Sequence, residues 1–263
     1  MRGDTHHMKI LSWNINGIRA AEKKGFTPWL LKTAPDILLL QETKADPDDL
    51  PTSLQDIPGY HAYWSPAERK GYSGVATLCK KEPLAIQTGF DIDKFDTEGR
   101  ILITEHPDFT LFNIYFPNGK QNTQRLHYKL QFYDAFLNYI DHWHADHGHV
   151  IIGGDFNTAH TEIDLARPGP NAKTSGFLPI ERKWLDTFIA HGYTDTFRAY
   201  HKDPNHYTYW DQRTAARARN IGWRIDYFFT DTTFMPQLHN AFIMPDTTGS
   251  DHCPIGIELK EHP

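Results

Sequence analysis

Amides, carboxylates and one imidazole stand where apolar runs of this chain end, and together they could bind a cation and move protons. In Ile151-Ile152-Gly153-Gly154-Asp155-Phe156-Asn157-Thr158-Ala159-His160, a β-branched run passes through two glycines to a carboxylate and an amide. This reads as a buried strand opening into a polar loop, with Gly153-Gly154 allowing a turn or the close approach of a ligand. Ile37 to Leu40 leads into Gln41-Glu42-Thr43-Lys44, and Leu11 to Asn16 alternates apolar with polar residues before breaking at Gly17. Trp223 to Phe229 sets Asp226 inside an aromatic run, where a carboxylate is costly unless paired. A partner is on offer in Gly249-Ser250-Asp251-His252. Taken singly, an aspartate after a strand is as readily a turn former or a helix cap.

The chain has two cysteines, far apart, and no glycine-rich Walker loop. An oxygen-rich set without thiolates favours a hard cation, Mg²⁺ or Mn²⁺, over zinc. A hard divalent ion beside a His–Asp pair points to phosphoryl chemistry, in which a carboxylate or imidazole activates water for in-line attack.

The elements that must hold these groups follow from periodicity. Strands are expected at Leu11–Asn16 feeding a turn at Gly17, Ile37–Leu40, Tyr60–Trp64, within a turn and strand over Gly71–Leu78, and at Ile101–Thr104, Leu111–Phe116, Val150–Ile152, Ile225–Phe229, Asn240–Ile243 and Ile255–Leu259. Helical spacing marks 25–32, 125–142 and 179–189, while Pro168-Gly169-Pro170 is read as forbidding regular structure. His142, His144, His147 and His149 invite a zinc reading, but their place at a helix end favours a solvated terminus. Residues 1–8 are read as a disordered extension and 9–260 as one catalytic domain, since no linker composition interrupts them.

With 39% hydrophobic and 13% aromatic residues, the chain can build a sizeable core. No run of about 18 apolar residues and no charged-then-apolar leader is present, so no membrane span or signal peptide is expected. Cys79 and Cys253 read as packed residues in a reducing compartment, giving a cytoplasmic, nucleoid-associated location. A net charge of −6 argues against coating nucleic acid through bulk charge. Locally, Arg213, Arg217, Arg219 and Arg224 lie among Tyr207, Tyr209, Trp210 and Trp223, a mix that suits phosphates and stacked bases or sugars. Tyr72 could line the same cleft or pack at a strand edge, and Lys129 could face it or only water.

The motifs WNING, LQETK, GYSGVA, NIYFPNG, GDFNTAH, SGFLP, GWRIDYF and GSDHCPIG occur in that order from about Lys9 to about Leu259. In this the chain closely resembles the exonuclease III family of abasic-site endonucleases, SGFLP and GWRIDYF being typical of the DNA-repair branch of the DNase I-like superfamily. The resemblance implies an α/β fold, a four-layer sandwich of two mixed β-sheets flanked by helices, with the cleft at one edge. It implies Glu42 as metal ligand, supported by Asn14 and with Asp251 nearby. Asp155 and Asn157 would orient or deprotonate the attacking water. His252, fixed by Asp226, would hydrogen-bond the phosphate or move a proton, and Tyr115 would stabilise the phosphate or the leaving oxygen.

Tyr209, Trp223 and Ile225 match the family's pocket for a base-free, flipped-out sugar, and Arg213 aligns with a residue inserted into the duplex. The implied reaction is Mg²⁺-dependent hydrolysis 5′ to an abasic site in duplex DNA, leaving a 3′-hydroxyl, with action on blocked 3′ ends and 3′→5′ exonuclease activity, by a monomer. The alternatives are nicking beside damaged bases such as uracil, a phosphoesterase for other substrates, and, in a different class, a non-catalytic DNA-binding module.

Overall fold

The computed structural model describes residues 7–260. Two six-stranded sheets face one another. In the first the order is β11 (Leu238–Ile243), β12 (Ile255–Leu259), β1 (Met8–Asn14), β2 (Ile37–Gln41), β4 (Val75–Cys79) and β3 (His61–Ser65). In the second it is β5 (Ala85–Thr88), β6 (Ile101–Glu105), β7 (Thr110–Tyr115), β8 (Val150–Asp155), β10 (Asp226–Asp231) and β9 (Tyr193–Asp195). Each sheet has one parallel pair at its centre, β1–β2 and β7–β8, and antiparallel neighbours elsewhere.

Three apolar layers hold this together. Ile10, Leu39, Leu111, Ile151, Phe228 and Ile257 fill the space between the sheets. Phe132, Phe136 and Ile140 of the helix Thr123–His147, with Trp184 and Phe188 of the helix Pro179–Ala190, cover the outer face of the second sheet. Phe26 and Leu30 of the helix Phe26–Thr33 cover the first. Strands buried on both faces read as continuous apolar runs, as β2 and β8 do. The four-layer sandwich of mixed sheets expected from the sequence is therefore the observed architecture.

The structure departs from the sequence reading in four places. Met8 already pairs with Leu259, so strand structure begins inside the expected extension, of which residues 1–6 lie outside the described residues. A one-turn helix spans Pro168–Asn171 despite its two prolines, because proline is tolerated in a first turn. The short strands β5 and β9 carry little apolar periodicity, and the sequence pattern does not mark them. Gly153 and Gly154 do not form a turn, since β8 runs straight through them to Asp155. A Cβ on Gly154, whose φ is +149°, would lie 1.8 Å from the Ile114 carbonyl oxygen, and one on Gly153 would meet Phe228 at 2.4 Å. The glycines are there because neighbouring chain approaches closely.

Candidate active site

β1, β2 and β8 end at the same edge of the sandwich, and β10 begins there. Asn14 is in register with Gln41, and Asp155 with both Tyr115 and Asp226. Beyond three of these ends the backbone turns left-handed at Asn16, Glu42 and Asn157, with φ of 48°, 56° and 52°. Non-glycine residues carry such angles where the surrounding structure holds them, often at functional sites. The result is a polar cluster drawn from both sheets.

Asn14 lies at its centre. Its Nδ2 donates to Asp155 Oδ2 at 2.9 Å and to Glu42 Oε2 at 3.1 Å. Lys44 approaches Glu42 at 2.9 Å and donates to Asn16 Oδ1 at 2.6 Å, while Asn16 Nδ2 donates to Asp251 Oδ1 at 3.0 Å. The Asn157 amide N–H donates to Asp155 Oδ1 at 2.7 Å, and its side chain is held between the Phe116 carbonyl and Asn118 Nδ2.

On the other side, His252 Nδ1 lies 2.8 Å from Asp226 Oδ2 and Nε2 lies 3.9 Å from Asp155 Oδ2. Thr208 Oγ1 donates to Asp226 Oδ2 at 2.6 Å and accepts from the amides of Ile225 and Asp226. The segment around Thr208 thus clamps the pair from behind: its carbonyl accepts from Cys253 N at 2.8 Å, and Tyr209 exchanges backbone hydrogen bonds with Trp223.

Burial sets the protonation of these groups. It pushes the Asp155 carboxyl up to about 7, reinforced by Asp226 and opposed by His252, Asn157 and Asn14. Burial would lower His252, but Asp226, with Asp155 and Asp251, raises the imidazole to about 10. Tyr115 is driven well above its ordinary value by burial and by Glu42, against the nearby Arg100 cation. At neutral pH the imidazole is therefore a cationic donor, Asp155 titrates, and the phenol keeps its proton.

Asp155, Asp226 and His252 each offer a ligand atom within 4.8 Å of one another. Of these, the imidazole is a poor ligand, because its Nδ1 is committed to Asp226 and its charge would repel a cation. The Asn14, Glu42, Asp251 side presents amide and carboxylate oxygens, the donor set a hard cation takes. A buried oxygen, Asp226 Oδ1, lacks any donor, which also fits a site completed by a bound group.

Next to the cluster lies an apolar group of buried side chains, Ala159, Leu165, Phe177 and Ile225, with the half-buried Tyr209 and Trp223 packed against it. The Tyr209 ring stands 4.9 Å from the His252 ring, so this group and the polar cluster are contiguous. Arg213 is exposed on a short turn nearby. Tyr72 sits with Tyr115 on an arginine platform: its hydroxyl accepts from Arg100 and Arg125, Glu98 pairs with both, and Arg100 lies 4.7 Å over the Tyr115 ring.

Two expectations need correction. Lys129 faces neither cleft nor water: it is fully buried, donating to the Asn157 carbonyl, Thr158 Oγ1 and Glu181 Oε1 at 2.8, 2.8 and 2.7 Å. Its helical position lay on the inner face, where a long polar side chain reached an equally buried carboxylate. The arginine-rich loop is also largely structural. Arg224 is buried between Asp164 and Asp195, and Arg217 donates to the carbonyls of Pro245 and Thr247 while stacking 4.6 Å over Trp210. Tyr207 and Trp210 are buried as well. Thr208, Asn16, Asn118 and Arg100 were missed as supporting residues. Asn16 lies in WNING and Asn118 in NIYFPNG, whereas Thr208 carries no local signal. His142, His144 and His147 lie in the last turns of the long helix and reach backbone carbonyls of that helix end, as a solvated terminus would, while His149 just beyond it pairs with Asp231.

Among the described residues no helix is long and apolar enough to cross a membrane. Residues 11–252 match the model of the Endonuclease/Exonuclease/phosphatase family. The chain is 42% identical to the DNA repair nuclease APEX1 of Danio rerio, over 98% of this chain and 84% of that one. It is 40% identical to an exodeoxyribonuclease of Bacillus subtilis, over 96% of this chain and all of the other. A solved structure of a 3′ phosphatase from Neisseria bound to a product DNA hairpin superposes with a TM-score of 0.89 at 28% identity, covering 96% of this chain and 99% of that one. The resemblance carried by WNING through GSDHCPIG is thus borne out, and the chain belongs to the Endonuclease/Exonuclease/phosphatase family, among relatives that are DNA repair nucleases and exodeoxyribonucleases.

Proposed function

We propose that this DNA repair hydrolase uses Mg²⁺, for which Mn²⁺ can substitute, to cleave the phosphodiester 5′ to abasic sites in duplex DNA. It leaves a 3′-hydroxyl and also acts on blocked 3′ ends and as a 3′→5′ exonuclease. We read it as a single-domain monomer of the cytoplasm, associated with the nucleoid. The observation that carries this reading is the contiguity of a buried His–Asp pair and carboxylate–amide cluster with the apolar side chains of Ile225, Tyr209 and Trp223, where we place the sugar pocket.

A base-free sugar leaves no polar edge unsatisfied in such a pocket, whereas a normal nucleotide would have to bury its base there. Glu42, supported by Asn14 and with Asp251 nearby, would hold the metal. When bound there, a hard divalent cation would supply positive charge beside the scissile phosphate. Asp155, raised toward neutrality and held by Asn14 and Asn157, accepts the proton of the attacking water. His252 donates from Nε2 to a phosphate oxygen while Asp226 fixes its other nitrogen. Tyr115 remains protonated and donates toward the leaving oxygen. Arg213 reaches the duplex from the exposed turn beside the pocket, and Tyr72 lies along the cleft wall.

The test is cleavage of a labelled duplex carrying one tetrahydrofuran analogue, with Mg²⁺ or EDTA, against intact and uracil-containing duplexes. A metal-dependent nick 5′ to the analogue is expected, since the analogue cannot undergo β-elimination. No nick with any divalent metal, together with hydrolysis of a small phosphodiester, would overturn the reading.

A further inference from the structure

Three lysines stand close to the site, and two are committed. Lys44 is paired with Glu42, and Lys129 is buried against Glu181. The third, Lys120, follows the turn after β7. Its Nζ lies 4.8 Å from the centroid of the Trp223 indole and 5.9 Å from that of Tyr209, over the two half-buried rings packed against the apolar group beside the site. Among the described residues that nitrogen makes no hydrogen bond or ion pair; only the backbone N–H of Lys120 is engaged, with Asn118 Oδ1.

An amine without a hydrogen-bond or ion-pair partner, resting over the two rings of the proposed sugar pocket, is placed to react as well as to attract. Burial lowers its affinity for a proton, opposed by Asp155, Asp211 and Glu181. The residue is exposed in the free protein, so this lowering is weak until a duplex covers the cleft and strips water from the amine. Desolvated lysines beside aldehydes and ketones are nucleophiles that form imines. An abasic deoxyribose equilibrates between a closed hemiacetal and an open chain with an aldehyde at C1′.

Resting on the abasic-pocket reading above, we infer that Lys120 forms an imine with C1′ of the bound abasic sugar and gives the protein a second, metal-independent strand-breaking activity. The neutral amine adds to the C1′ carbonyl, and the carbinolamine loses water to give the C1′=N bond. The protonated imine acidifies C2′, whose proton passes to water. The electron pair left at C2′ forms the C2′=C3′ bond as the C3′–O bond breaks, and the 3′ phosphate leaves with that bonding pair. Hydrolysis of the imine then returns the lysine amine and an unsaturated aldehyde. No oxidant or reductant is consumed.

The test uses the full chain in EDTA with sodium cyanoborohydride and a duplex carrying a natural abasic site, which has the aldehyde. A covalent protein–DNA adduct is expected, mapping to Lys120 by peptide sequencing. In Lys120→Arg, which keeps the charge but not the nucleophile, the adduct should fall to background, and a tetrahydrofuran duplex should give none. Without reductant, the natural site should be broken on its 3′ side in EDTA by the wild-type chain and not by this variant. An undiminished adduct in Lys120→Arg, or no adduct from wild-type protein that cleaves the tetrahydrofuran duplex with Mg²⁺, overturns the inference. Failure to cleave the tetrahydrofuran duplex would instead count against the hydrolytic reading, so the two can fail separately.

Discussion

Lys129 Nζ and Glu181 Oε1 stand 2.7 Å apart with both side chains fully buried, joining the long helix to the first turn of the helix Pro179–Ala190. Glu181 also accepts from Ser175 Oγ and from the amides of Gly176 and Leu178, while Lys129 holds the Asn157 carbonyl. The pair thereby ties the Asp155–Asn157 turn to the loop that backs the pocket, where Ala159 N donates to the Gly176 carbonyl.

Removing one partner should be costly. Lys129→Met strands the Glu181 carboxylate in the interior and is expected to lower stability by about 3–5 kcal/mol. Urea unfolding measures it. A loss below about 1 kcal/mol would place the pair with ordinary surface ion pairs and refute its role as a structural tie.

Thr208→Val keeps the shape of a buried side chain but removes the donor to Asp226 and the acceptor for two amides. With His252 less firmly oriented, kcat on an abasic duplex should fall about tenfold or more with little change in KM. Asp226→Asn should fall further, because the partner that keeps the imidazole protonated is lost. A folded Thr208→Val protein with unchanged kcat would show that the clamp does not matter.

The metal-free protein should lose stability as pH rises. His252 has a folded value of about 10 against roughly 6.5 when unfolded, so the native state holds a proton that the unfolded chain releases. Its contribution is complete below about 6.5, declines above that, and is gone past 10. Asp155, raised to about 7 from roughly 3.9, acts in the same direction between those values. A divalent ion favours ionised carboxylates, so Mg²⁺ should raise the melting temperature, more at pH 8 than at pH 5, as ligand binding to the native state requires. Thermal melts in EDTA and Mg²⁺ across pH, repeated with Glu42→Gln, check this. Equal Mg²⁺ stabilisation in Glu42→Gln would move the ion elsewhere.

The central strands and the polar residues that end them were legible from the chain itself, and the two-sheet architecture followed from the family resemblance. Doubly buried strands leave unbroken β-branched and aliphatic runs, as in Ile37–Leu40 and Val150–Ile152, and the polar residues that end them mark one edge of a sheet. The pairing of Asp226 with a histidine followed from the cost of burying a carboxylate alone, and His252 is that partner. Motif order carried the family.

Side-chain facing and long-range partners were decided only by tertiary structure. Lys129 and Arg224 are charged residues in segments that sequence leaves free to face solvent, and each is buried because its partners, Glu181, Asp164 and Asp195, come from distant parts of the chain. Thr208 acquires its role because three loops converge on it, and Gly154 because β7 passes within a Cβ radius of β8. Local patterning determines which residues are apolar and where strands end. Which buried charge meets which, and how closely two backbones approach, depends on contacts between residues far apart in sequence, which no local pattern records.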